Sequence, residues 1–296
     1  MNAKLTIINC FFQIESYLIV KTAFSTIVQC YGITKDPKTN NFMMVMEYAQ
    51  YGSLRQHLNK NFNLLNWNEK LYNLYFIANG LMTIHKKGLI HHDFHSGNIL
   101  SNEFGYGNHL YALITDLGFC KPANVKHSQG EDKKIYGVLP YVAPKVLLGK
   151  EYTQASDVYG FGIIAHELCT GFPPYHDISH DEFLAIRICQ GLRPKSNYKI
   201  PQLILDIIQQ CWDADPLKRP IAEELKNKFH QWRFSDSNSE IYKQTNEADE
   251  FNKTQPTFTL SNTELKYTTH PQAIYTSRLL KFENLPEPKN EDYSGN

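Results

Sequence analysis

The chain has 296 residues, 42% of them hydrophobic and 13% aromatic, with 30 basic and 30 acidic side chains. Apolar content at this level offsets the entropy of ordering a backbone, which excludes a collagen-like, mucin-like or wholly unfolded chain. The length suffices for one large or two modest domains. A net charge of zero provides no basic field, so neither nucleic acid nor a membrane surface is expected as a partner.

In chain order, residues 1–30 are apolar, and Phe11, Ile14, Leu18 and Ile19 share one face of a helix. Gln13 and Glu15 interrupt that stretch, so no membrane span or signal peptide is expected. Two strands follow over 27–33 and 42–47, joined by a turn-rich segment at 34–41. Ser53 is placed to cap a short helix. Trp67, Leu71, Leu74, Ala78, Leu81 and His85 recur at helical spacing, which predicts a long amphipathic helix over 67–85. Residues 89–113 are loop-rich and full of histidine. The stretch 156–170 is apolar on nearly every side and predicts a buried helix, and two more helices are expected over 201–212 and 221–232. Strands first and helices after predict an α+β fold with segregated parts. From Arg233 the composition turns polar, so most of 233–270 is expected to be unfolded, whereas Tyr275, Leu279 and Phe282 predict a helix over 272–285 fenced by Pro271 and Pro286. The six cysteines, Cys10, Cys30, Cys120, Cys169, Cys189 and Cys211, form no C-x-x-C pair. They read as reduced thiols, and a cytoplasmic location is expected.

The most specific string is His91-His92-Asp93-Phe94-His95-Ser96-Gly97-Asn98-Ile99-Leu100. Alone, Asp93 reads as a turn aspartate, and His91, His92, Asp93 and His95 also suggest a zinc site, although adjacent histidines rarely face one metal. Taken together, the string resembles the catalytic loop of protein kinases, H-R-D-x-x-x-x-N. Asp116-Leu117-Gly118 resembles their D-F-G element. Gly137-Val138-Leu139-Pro140-Tyr141-Val142-Ala143-Pro144-Lys145 resembles the end of an activation segment, and Ser156-Asp157-Val158 the start of the buried central helix. Cys211, Trp212, Pro216, Arg219 and Pro220 complete five motifs in the family order.

The resemblance covers residues 1–232, with 1–50 as a partial small lobe (αC, β4 and β5 of that family) and 51–232 as a helical large lobe. It is similar to the tyrosine-kinase-like and serine/threonine types, and 270–280 resembles a tail of lineage-expanded fungal kinases. It implies ATP-dependent phosphoryl transfer to protein hydroxyls, serine and threonine ahead of tyrosine. Asp93 takes the hydroxyl proton, His95 stands near the transferred phosphate, and Asn98 and Asp116 hold Mg²⁺. Met46 guards the adenine pocket, the backbone of 47–49 (Glu47 to Ala49) binds adenine, Leu100 packs beneath the ring, and Glu15 is the αC glutamate.

Departures from the pattern are equally specific. No Gly-rich loop or V-A-I-K string precedes residue 27, and the lysine partner of Glu15 is expected upstream of Met1. His92, Val138 and Lys145 replace an arginine, a threonine and a glutamate of the pattern. Lys145 and Arg219 therefore form no ion pair, so Lys145 is expected in solvent and Arg219 on carboxylate or carbonyl groups. The alternative reading is a pseudokinase or truncated kinase that docks a partner protein.

Overall fold

The computed structural model describes residues 16, 17, 19, 20, 26–103, 110–122, 134–254 and 265–291. In chain order these form β1 (Cys30–Lys35), β2 (Phe42–Met46), α1 (Leu54–Asn61), α2 (Trp67–Lys86), β3 (Leu89–Ile90), β4 (Ile99–Glu103), β5 (Leu110–Ile114), β6 (Lys121–Pro122) and β7 (Ile135–Gly137). There follow α3 (Pro144–Leu147), α4 (Gln154–Thr170), α5 (Glu182–Cys189), α6 (Gln202–Cys211), α7 (Ala222–Arg233), α8 (Glu240–Lys253) and β8 (Arg278–Leu280). The described strands pair two by two and antiparallel, β1 with β2, β3 with β6, β4 with β5 and β7 with β8. The helices supply the bulk, so the expected α+β segregation holds.

Local chemistry starts the helices where the sequence predicts. The Ser53 hydroxyl accepts the Gln56 N–H at 3.3 Å and the Gln56 side chain accepts the Ser53 N–H at 2.9 Å, a reciprocal cap that opens α1. Asn66 and Glu69 do the same for α2. Every residue of α4 from Ser156 to Thr170 is buried, as its all-round apolar pattern requires, and α4 packs against α2, α6 and the turn at 139–141. A buried Leu, Ile or Phe contributes about 1.5–3 kcal/mol, so this helix anchors the large lobe. At Gly160 the helix backbone passes so close to the 93–95 loop that a Cβ would stand 2.7 Å from the Phe94 carbonyl oxygen. Among the described residues no helix is long and apolar enough to cross a membrane.

Three expectations are corrected. The strand predicted at 27–33 divides: residues 26–28 run along β5, with the Val28 N–H on the Ile114 carbonyl at 2.9 Å, and β1 begins only at Cys30. Ile27 and Val28, each 2% exposed, are drawn into the core by apolar burial, while the residues beyond them face water. Within 233–270, predicted as unfolded, lies α8, whose Ile241, Thr245, Ala248 and Asn252 are buried. Over 272–285, predicted as a helix, the chain is extended around β8. Pairing of β8 with β7, and Leu280 at 4% exposure, outweigh the helical periodicity.

Candidate functional site

Register assembles the site. In the β4–β5 hairpin Ile99 faces Ile114, which brings Asn98, just before β4, and Asp116, just after β5, to the same end. The Thr115 N–H donates to the Asn98 carbonyl at 3.0 Å and closes that end. Asn98 Nδ2 donates to the Asp93 carbonyl at 2.9 Å, so the turn between them is locked. His91, wholly buried, donates from Nε2 to the Thr115 carbonyl at 3.0 Å and accepts the Asp93 N–H on Nδ1 at 3.3 Å. Burial pushes its pKa down, consistent with a neutral ring of that tautomer.

Asp157, on the first turn of α4, anchors the loop from below. Its carboxylate accepts the N–H groups of His91 at 2.8 Å and His92 at 3.1 Å, and the His85 ring lies 2.9 Å away. His92 has φ +71°, a left-handed backbone unfavourable for a non-glycine residue, and Asp157 holds it there. Burial alone would raise the Asp157 pKa, but the bond and charge from His85 and the His91 N–H bring it below the usual carboxylate value.

Asp93 is 6% exposed. Its Oδ2 accepts the hydroxyl of Ser277 at 2.5 Å, and its Oδ1 is buried without a partner. His95 accepts the Gly97 N–H on Nδ1 at 3.1 Å, which leaves the proton on Nε2; that nitrogen stands 3.4 Å from Ser277 Oγ and 3.6 Å from Asp93 Oδ2. Burial works to raise the Asp93 pKa, yet the facing His95 ring and the Ser277 hydroxyl keep it lowered, so the carboxylate is ionised at neutral pH. A carboxylate, an imidazole N–H and a hydroxyl thus converge on one point.

On the other side of Asn98 lies the segment expected to meet adenine. Met46, Glu47 and Ala49 are half-buried. The Ser101 N–H donates to the Gly52 carbonyl at 2.8 Å and Ser53 bridges Leu100, which lays β4 against the chain that follows Ala49. Asn102 Nδ2 donates to Glu47 Oε1 at 2.9 Å. Glu15 lies outside the described residues. Asp116 is exposed, with φ +56° and its carboxylate facing the Gly118 N–H. Because Asn98 uses Nδ2 toward Asp93, its amide oxygen remains as the acceptor. An amide oxygen and a carboxylate beside open solvent suit Mg²⁺, which takes one or two carboxylates plus phosphate oxygens and retains water.

The zinc alternative falls. Among the described residues no group of three or more His, Cys, Asp and Glu is placed to hold a metal, because His91 turns inward to Thr115 while His92 stacks on Tyr152 with ring centroids 4.5 Å apart.

Arg219 finds carbonyl groups, as expected, donating to Asp213 at 2.8 Å and Ala155 at 2.8 Å. Lys145 is half-buried rather than fully in solvent. Tyr141 is built into the segment, its hydroxyl donating to Glu167 at 2.6 Å.

Sequence reasoning missed three participants. Glu167 also receives Arg55 at 2.6 Å and Ser96 at 3.0 Å, so one buried carboxylate ties α1, the 96–98 turn and the 139–141 turn to α4. A glutamate within an apolar helix was the available signal. The Tyr17 hydroxyl accepts the Asp116 N–H at 3.0 Å and steadies that residue from the small lobe. Ser277 is the third, and no local pattern marks a serine in a polar tail.

Comparison with known proteins fits this geometry. Residues 6–229 match the family described as protein tyrosine and serine/threonine kinase. The chain is 34% identical over 193 residues to a probable serine/threonine-protein kinase of Dictyostelium discoideum, a match that covers 64% of this chain and 20% of that protein. It is 32% identical over 219 residues to the dual specificity protein kinase zakA of the same organism, covering 68% and 27%. A protein kinase and PP2C-like domain-containing protein of Arabidopsis thaliana is 26% identical over 235 residues, covering 66% and 34%. The chain therefore spans about a third or less of the length of these relatives. With five motifs in the family order and the family match running over most of its length, this chain belongs to the protein tyrosine and serine/threonine kinase family.

Proposed function

We propose that the protein transfers the γ-phosphoryl group of ATP to hydroxyls of protein substrates, serine and threonine ahead of tyrosine. The observation that carries this reading is the register of β4 and β5, which sets Asn98 and Asp116 at one end of a hairpin with Asp93 hydrogen-bonded to Asn98. Phosphoryl transfer asks for positioning and charge stabilisation more than for covalent help. Asp93 orients the acceptor hydroxyl and takes its proton, and His95 directs an N–H at the same point. Asn98 and Asp116 are the oxygen donors that would hold Mg²⁺, whose charge offsets that of the phosphates. Met46, the backbone from Glu47 to Ala49, and Leu100 are assigned to adenine. The kinase domain is taken to run over 1–232, and the free thiols of the described cysteines support a reducing, cytoplasmic setting.

The test uses the full-length protein with radiolabelled ATP, Mg²⁺ and a degenerate serine/threonine peptide. Wild type should label the peptide, and Asp93→Asn should lower the rate by about 10²–10⁴-fold, the usual worth of general-base catalysis, with an unchanged far-UV spectrum. No labelling by wild type, or equal labelling by the variant, refutes the assignment.

A further inference from the structure

The segment 265–291 is bound along the large lobe by contacts that converge on the site. The Leu265 N–H donates to the Asn59 carbonyl at 3.0 Å, and the Tyr267 hydroxyl to the Asn59 side chain at 2.8 Å. The His270 N–H reaches the His176 carbonyl at 2.7 Å and the Tyr275 hydroxyl reaches the Pro174 carbonyl at 2.9 Å. Beyond Ser277, β8 pairs with β7 in the register Arg278 to Gly137, Tyr136 to Leu279 and Ile135 to Leu280, and Arg278 also donates to the His180 carbonyl. Leu280 is buried at the far end of the strand. Ser277 is thus held on both sides, with its hydroxyl on Asp93 and its residue surface open to solvent.

This is how an extended peptide is recognised when it adds a strand to a sheet edge: backbone pairing sets the register and an apolar anchor fixes one end. Among the described residues β7 has no other strand partner. Gly137, opposite Arg278, has φ +154°, a backbone that side chains rarely adopt, and a Cβ there would stand 2.8 Å from Val142. A tail that served only to cover the lobe would have no need to direct a hydroxyl at the carboxylate assigned to accept a hydroxyl proton.

We propose that Ser277 is a modification site, the hydroxyl that this site phosphorylates within its own chain, with 265–291 docked as the substrate peptide. The proposal rests on the phosphoryl-transfer reading above. Ser277 Oγ forms a bond to the γ-phosphorus of a nucleoside triphosphate, and the bond from that phosphorus to the β–γ bridging oxygen breaks. The electron pair leaves with the nucleoside diphosphate, and the hydroxyl proton passes to Asp93. The product phosphate brings about −1.5 to −2 charges against the Asp93 carboxylate. The two repel, β8 is released from β7, and the cleft opens to other substrates.

The test incubates the full-length protein with Mg²⁺ and ATP, maps the phosphosites by mass spectrometry and follows an added serine/threonine peptide in the same tube. Ser277 should carry phosphate. An intramolecular step also requires that dilution by about tenfold leave its fractional rate unchanged. Ser277→Thr should still be labelled at that position and Ser277→Ala should lose the label. An Asp93→Asn chain mixed with wild type should stay bare at Ser277. Peptide labelled while Ser277 stays bare overturns this proposal and leaves the kinase reading standing. Neither labelled overturns both. Labelling of the Asp93→Asn chain by wild type, or a rate that falls with dilution, overturns transfer within one chain.

Discussion

Asp157 fixes the backbone on which Asp93 sits, because two N–H groups and the His85 ring meet in its carboxylate. Its pKa is lowered against the pull of burial, so folding favours the ionised form. The stability this contributes is fully present above the ordinary carboxylate range of about 4 and is lost as pH falls through the depressed value. Asp157→Asn should cost about 3–5 kcal/mol at pH 7, the usual loss when one partner leaves a buried pair. Denaturant melts at pH 7 and pH 3 should then differ less for the variant than for wild type. His166 acts in a higher window. Burial in α4 beside Trp212 lowers its pKa to about 4, so between about 6.5 and 4 the unfolded chain binds the proton that the folded chain refuses. Stability therefore falls as pH drops across that window, by up to about 3 kcal/mol. His166→Phe should flatten the melting temperature between pH 6.5 and 4; an unchanged slope would exclude His166 as its source.

Among the elements, those with local signals were legible in the sequence. Ser53 and Asn66 cap helices through their own neighbours, and α2, α4, α6 and α7 appear within two residues of the predicted ends. The spacing from Asp93 to Asn98 likewise marked two residues that a hydrogen bond then joins. Two elements were hidden for opposite reasons. In α8 the buried positions 241, 245, 248 and 252 keep helical spacing, but threonine, alanine and asparagine there are small or polar, so no apolar stripe announces them. Asn252 buries itself by bonding the Lys199 backbone at both ends, 2.8 and 3.0 Å. In the tail, Tyr275, Leu279 and Phe282 carry helical spacing, yet a strand forms because β7 offers a partner that sequence cannot reveal. The join among elements that matters most is Glu167, which is fully buried and collects Arg55, Ser96 and Tyr141. Glu167→Gln should cost about 3–5 kcal/mol by leaving the Arg55 charge uncompensated, and thermal melts should show it. A loss under about 1 kcal/mol, typical of an exposed pair, would mean that solvent reaches Arg55.

At the scale of the whole molecule, stability is shared between an apolar interior built on α4 and a strap that runs from 265 to 291 over its surface. Exposed ion pairs such as Lys86 with Glu223 contribute little, about 0–1 kcal/mol each. Leu280→Ala should cost about 2 kcal/mol, or about 4–8 °C in melting temperature, and should quicken tryptic cleavage at Lys281. Unchanged proteolysis would mean that the strap is held elsewhere, at Tyr275 or at the Lys289 N–H on the Cys189 carbonyl. The same strap carries a consequence for the timing of biosynthesis. Ser277 and Asp93 are 184 residues apart, so at ribosomal speeds of about 5–20 residues per second the loop bearing Asp93 emerges roughly 10–40 s before the segment that covers it. A newborn chain therefore has an interval in which its cleft is unguarded, and a slower codon between the two would lengthen it.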